Sequence, residues 1–200
     1  MIKSILISAV LLSFFTACSN SQMNLKKEKE LKREQISKEL FTQIKDILFL
    51  LKTEDLKTLN ERFINKQIGF YEIYKTDVEN KITFKHEYSM NEITELIGSF
   101  EIKEEQVNFN CSPYNDALYG WDKEGVFLTA DIKPYISMIK EKENILGAKE
   151  HKKEELENIL LIEKTSYEII ITDNIIFYFT KIGNNWYITL IDNLKTDCSQ

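Results

Sequence analysis

The carboxyl-terminal part of the chain constrains the fold most. Three runs follow one another there: "SYEIIIT" (166–172), "IIFYFTK" (175–181) and "NWYITLID" (185–192). Each is rich in β-branched and aromatic residues, which suit a pleated, half-buried surface. Asp173-Asn174 joins the first two runs and Gly183-Asn184-Asn185 the last two. Both joints hold residues that tolerate positive φ, so the spacing predicts a three-stranded antiparallel meander.

Upstream, the pattern is mostly helical. Asn24 to Leu51 reads as one long helix, because Ile36, Leu40, Ile44, Ile47, Leu48 and Leu51 recur at helical spacing. Thr53 offers an N-cap to a short second helix that turns Leu56, Leu59 and Phe63 inward. "QIGFYEIYKT" suggests a strand beginning near Gly69, and "KITFKHEY" and "EGVFLTAD" suggest two more. Ser89-Met90-Asn91-Glu92 has capping-box spacing, which predicts a helix to about Ile97 that stops at Gly98. Asp131 to Ile145 reads as a helix with Pro134 in its first turn, and Lys149 to Leu160 as a charged helix. Helices first and a meander last predict an α+β fold, with the N-terminal helices packed on one face of an antiparallel sheet.

Composition sets the scale. The chain has 200 residues, 43% hydrophobic and 29% charged, enough apolar material for one domain with a real core. With only 6 Gly and 2 Pro, no flexible linker divides it, and residues 35–200 are expected to form that single domain. Net charge is −6. The one basic-looking run, "KKEKELKRE" (26–34), carries acids that nearly cancel its bases, which argues against nucleic acid as a partner.

The amino terminus speaks to location. Lys3 precedes an apolar stretch, Ile5 to Phe15, too short to span a bilayer, which needs about 20 residues. Those are the proportions of a signal peptide, here residues 1–17. Phe14-Phe15-Thr16-Ala17-Cys18 resembles the lipobox of bacterial lipoproteins, with Phe15 where the family usually has Leu. The resemblance implies that Cys18 is lipidated and becomes the new amino terminus, making the membrane the first partner. Each acyl chain contributes roughly 0.8 kcal/mol per buried methylene. The alternative is an ordinary cleavable signal with a coincidental cysteine. Ser19 resembles signals that release lipoproteins to the outer membrane of the cell envelope rather than retain them at the inner one. Residues 18–34 then read as a charged tether, or as lysines touching anionic headgroups.

Export would leave Cys111 and Cys198 in a compartment that permits disulfides. The reading is a structural disulfide between them; free thiols or a redox pair are the alternatives, and no Cys-x-x-Cys supports the latter.

The closing segment "YFTKIGNNWYITLID" (178–192) resembles the last hairpin of nuclear-transport-factor-like cone folds. That resemblance implies a curved sheet around a pocket, and it brings no catalytic residue with it.

Catalytic signatures are absent. There is no Gly-rich phosphate loop, nucleophile elbow or helical histidine pair, and no cofactor or metal is expected. His86, beside Glu87, is the one candidate general base, while His151 sits among charges. The remaining candidate is the stretch Asn110 to Gly125, read as a long loop. Its Tyr114, Asn115, Asp116, Tyr119, Trp121 and Asp122 combine aromatic surface with orienting polar groups, the chemistry of a sugar or peptide site. The same aromatics could instead plug the core. Calcium has no EF-hand spacing here.

The functional expectation is a membrane-anchored envelope lipoprotein acting as a non-enzymatic binding or scaffold module, with a protein or glycan partner. The alternatives are a small pocket hydrolase or isomerase using His86, and an immunity or inhibitor lipoprotein.

Overall fold

The computed structural model describes residues 38–76, 81–98, 101–111, 119–130, 136–145, 152–172 and 174–198. The expected signal peptide, Cys18 and the tether lie outside these, as do Tyr114, Asn115, Asp116, Pro134 and His151. The chain divides into two compact units, Met1–Lys45 and Asp46–Gln200. Helix α1 covers 38–52. Of the first unit, the described residues 38–45 are helical, and Leu40 and Ile44 are fully buried.

In the second unit, α1 ends at Glu54, whose φ of +50° is left-handed. Glu54 N–H donates to the Leu51 carbonyl (3.3 Å) and Asp55 N–H to that of Leu50 (3.0 Å), so the turn closes the helix as a Schellman motif does. Helix α2 (Leu56–Phe63) starts at once. Its cap is Asp55 rather than Thr53: the Asp55 carboxylate accepts Thr58 N–H at 3.0 Å and Thr58 Oγ1 at 2.7 Å. Thr53 instead donates its hydroxyl to the Phe49 carbonyl inside α1. Leu59 and Phe63 are buried as expected, and Leu56 is half-buried.

The fold is α+β. Among the described residues nine strands follow: β1 (Phe70–Thr76), β2 (Lys81–Glu87), β3 (Ile102–Lys103), β4 (Phe109–Asn110), β5 (Gly120–Trp121), β6 (Val126–Thr129), β7 (Tyr167–Ile171), β8 (Ile175–Ile182) and β9 (Asn185–Asp192). Seven make one sheet in the order β2-β1-β9-β8-β7-β6-β3, and β4 and β5 form a separate two-stranded ribbon. β7, β8 and β9 pair antiparallel as the expected meander. Gly183 supplies the positive φ (+62°) at the second joint; Asp173 of the first lies outside the described residues. The sheet is mixed, not antiparallel throughout, because β1 runs parallel to β9 and β3 to β6. A parallel neighbour needs a long crossover, and the chain between β1 and β9 supplies one. The sheet stays open, with β2 and β3 at its edges.

Helices cover both faces of the sheet rather than one. Residues 176–180 of β8 are all buried, so alternate side chains need cover on opposite sides. Phe179 meets Phe63 of α2, ring centroids 5.9 Å apart. Tyr178, pointing the other way, joins Ile73 and Leu190 beneath Ile136 of α3 (Ile136–Ile145) and Ile159 and Ile162 of α4 (Lys153–Thr165). Two buried polar groups fasten that second layer. The Glu163 carboxylate accepts Ile136 N–H (2.8 Å) and Ser137 Oγ (2.6 Å), capping α3 from α4. Lys140 Nζ pairs with Glu155 and stands 3.9 Å from the Phe84 ring centroid, so a fully buried ammonium keeps a carboxylate and an aromatic face.

The capping-box helix at 89–97 does not form; residues 88–98 run as an irregular strap. The reason is competition for its backbone. Asn60 on α2 donates to the Met90 carbonyl (2.9 Å) and accepts Met90 N–H (2.7 Å), Asn174 Nδ2 donates to the Thr94 carbonyl (3.2 Å), and Leu96 N–H donates to Leu51 (3.3 Å). Met90 and Leu96 are buried on that path. A capping box adds only a local preference, and tertiary hydrogen bonds with burial outweigh it.

Candidate functional site

The strap makes one wall of a trough whose floor is the junction of β8, β9 and β1. Ile175 and Ile191 give the floor apolar surface, the strap contributes Ser89 to Thr94, and Glu72, Lys85 and Glu87 face it from β1 and β2; the volume is about 450 Å³. A second hollow of about 270 Å³ opens beside it, lined by Phe109, Trp121, Ile176, Asp192 and Thr196. Asn174, Ile175 and Asn193 line both, so the two hollows are lobes of one trough. The larger lobe falls within the usual size of ligand sites, about 300–1,000 Å³.

Its polar groups are held in place. Asn193 Nδ2 donates to Glu72 Oε1 at 3.0 Å, and Asn193 N–H to the Ile73 carbonyl at 2.9 Å. Lys85 pairs with Glu87 at 2.6 Å, and this carboxylate raises the Lys85 pKa. Asp192, almost fully buried, accepts Leu194 N–H and Lys195 N–H at 3.0 and 3.1 Å, which turns the chain out of β9 toward Thr196. At the far end the Phe109 and Trp121 rings meet edge-on, centroids 5.1 Å apart and 78° between planes.

Covalent bracing reaches the same end. Cys111 and Cys198 lie at disulfide-bonding distance, Sγ–Sγ 2.10 Å and Cα–Cα 5.3 Å, across 87 residues of sequence. Phe109 and Trp121 pair in the ribbon, and Cys111 follows directly on β4. Thr196 stands two residues before Cys198. The cysteine pair therefore joins the two walls of the smaller lobe.

Of the loop residues singled out in the sequence, Trp121 reaches the trough, half-buried against Val107, Phe127, Ile170 and Ile176. It is at once a core plug and part of a lining. Tyr119 is 57% exposed and touches Phe109 edge-on at 6.0 Å. Asp122 is committed elsewhere: it accepts Asn108 N–H (3.0 Å) and Asn108 Nδ2 (3.1 Å), and those bonds hold its carboxyl below the usual range. Asn174, Asn193, Asp192 and Glu72 escaped the sequence reading, because they come from turns and strand ends far apart in the chain. Only the amide-rich joints around the meander hinted at them.

His86 lines neither of the two hollows described above. It is exposed, stacks on Tyr71 (centroids 4.6 Å, 15° between planes), and its Nε2 lies 2.7 Å from the Ile68 carbonyl. A carbonyl only accepts, so that nitrogen carries the proton. Among the described residues, no group of three or more His, Cys, Asp or Glu is placed to hold a metal ion, and no helix is long and apolar enough to cross a membrane.

No protein-family model, no curated protein and no solved structure matches the chain.

Proposed function

We propose that this protein is a lipid-anchored component of a bacterial cell envelope, favouring the outer membrane, that works by binding rather than by catalysis. One observation carries the binding half of the reading: a trough with an apolar floor, an aromatic corner and immobilised amides and carboxylates, the composition of a recognition site. The anchoring half rests on Phe15-Thr16-Ala17-Cys18, and the Cys111–Cys198 pair suits an oxidising compartment. A catalytic reading through His86 draws no support from the trough, which His86 does not line.

Two measurements test the halves separately. Cys18→Ala should move the protein from membranes to the soluble fraction, and mass spectrometry of the wild type should find acyl chains on Cys18. Unchanged membrane association of the variant would sink the anchor. For binding, a photoreactive residue at position 193 should crosslink envelope material in intact cells, whereas one at the exposed Lys181 should not. Equal yields from both positions would remove the trough from the reading.

A further inference from the structure

We infer that the trough takes an oligosaccharide without acidic groups, with its polar edges on Asn174 and Asn193 and one end against the Trp121 corner. The inference rests on the reading of the trough as a binding site and adds the class of ligand.

Charge excludes one class first. The described lining carries Glu72, Glu87, Glu92 and Asp192 against Lys85 alone. A polyanion such as a phosphate-rich polymer or nucleic acid would meet like charge along the whole length. For a cationic ligand the offer is reduced, because three of these four carboxylates already have partners. Glu87 is already paired with Lys85, Glu72 holds the Asn193 amide, and Asp192 is spent on two backbone N–H groups.

A peptide fits poorly for a different reason. Extended peptides gain most of their hold by adding to an unpaired sheet edge. The floor strands are interior: β9 lies between β1 and β8, and β8 between β9 and β7. On the strap, Met90 and Thr94 already give main-chain groups to Asn60 and Asn174, and the edge strand β2 borders the trough only through Lys85 and Glu87. Recognition through side chains suits this lining better.

Those side chains match a pyranose. A sugar ring has an apolar C–H face and an edge of hydroxyls that both donate and accept. Ile175 and the perpendicular Phe109 and Trp121 rings supply surface for the first. Amides at Asn174 and Asn193, which also donate and accept, supply partners for the second. The two lobes share these amides, so a chain of sugars can continue from one lobe into the other. The Cys111–Cys198 link keeps Phe109 and Thr196 facing each other, so the narrow end is preorganised.

The test titrates the full chain with N-acetylglucosamine oligomers and neutral glucan oligomers of increasing length, with oligolysine and polyphosphate in parallel. Calorimetry and tryptophan emission are read together. The chain has 2 Trp, and Trp186 is 4% exposed and packed on Phe179, so a change in emission reports Trp121. The expected result is saturable binding of a neutral oligomer series, tightening with length. Asn193→Ala, at an exposed position, should weaken it roughly tenfold with little change in Tm, and Asn174→Ala should weaken it as much while also lowering Tm, because it deletes the bond to the Thr94 carbonyl. No saturable response to any neutral oligomer overturns the ligand class. If oligolysine then binds and Asn193→Ala abolishes that binding, the class is wrong and the trough remains a binding site. If neither series binds, the binding reading falls with it. Sugar binding untouched by both Asn variants would place the site elsewhere and also overturn the inference.

Discussion

The meander of β7–β9 and the strap at 88–98 form floor and wall of one trough, yet opposite kinds of interaction hold them. The meander is held by its own ladder and by apolar burial on two faces: residues 169–171, 176–180 and 188–192 are all buried. The strap has no ladder and little apolar anchorage beyond Met90 and Leu96; Ile97 at its end is 82% exposed. Its shape comes from side chains of distant segments bonding its main chain. A floor of the first kind is stiff and indifferent to single polar changes. A wall of the second kind is positioned by two side-chain amides and one backbone bond, so it can be moved without melting the fold.

The largest effect should come from the floor. Phe179→Ala removes a ring that touches Phe63, Phe177 and Trp186 at once, with no exposed surface to relax into. Equilibrium denaturation should show a loss of about 3–5 kcal/mol. A loss below about 1 kcal/mol would mean that the doubly covered meander is not the stability centre, and the comparison would fail.

Next comes the brace between the two regions' far ends. Cys111→Ser breaks a link that closes 87 residues, and removing a native disulfide of this kind costs about 2–5 kcal/mol. Thermal melts of oxidised, reduced and Cys111→Ser protein should place the last two together and below the first. If all three coincide, the cysteines are not joined in the folded protein.

The strap gives the sharper contrast. Asn60→Ala deletes both hydrogen bonds to Met90 and should cost about 1–3 kcal/mol. Amide exchange should accelerate from Met90 to Leu96 while β8 and β9 keep their protection. Loss of protection spread evenly through the meander would show that strap and floor open as one unit.

This contrast also decides what the sequence could disclose. The meander was legible because its signals are local: β-branched and aromatic runs and a Gly-Asn-Asn joint. The disulfide pair followed from arithmetic once Cys18 was set aside. The strap was misread as a helix because Ser89-x-x-Glu92 is a true local signal, whereas Asn60 and Asn174 act from 30 and 80 residues away. The mixed sheet was hidden for the same reason, since parallel pairing of β1 with β9 leaves no mark in either strand. Trp121 was visible as an aromatic beside turn glycines, but its partners Asn174 and Asn193 gain meaning only from the register that brings them together.

The smallest expected effect tests whether the floor is as indifferent to polar change as its packing suggests. Glu168 on β7 is 5% exposed, and burial raises its carboxyl above the ordinary 4.5, with Lys195 at 2.6 Å opposing the shift. Because the folded state binds this proton more readily than the unfolded chain, Glu168 lowers stability at neutral pH. That penalty fades as pH falls through its raised value toward 4.5. Glu168→Gln removes the titration while keeping the shape. The variant should therefore melt slightly higher than the wild type at neutral pH, and the gap should close on acidification. A gap that stays constant across that window would mean the carboxyl does not titrate in it. A variant less stable than wild type at neutral pH would show the Lys195 pair outweighing burial, and the meander would then depend on a polar contact much as the strap does.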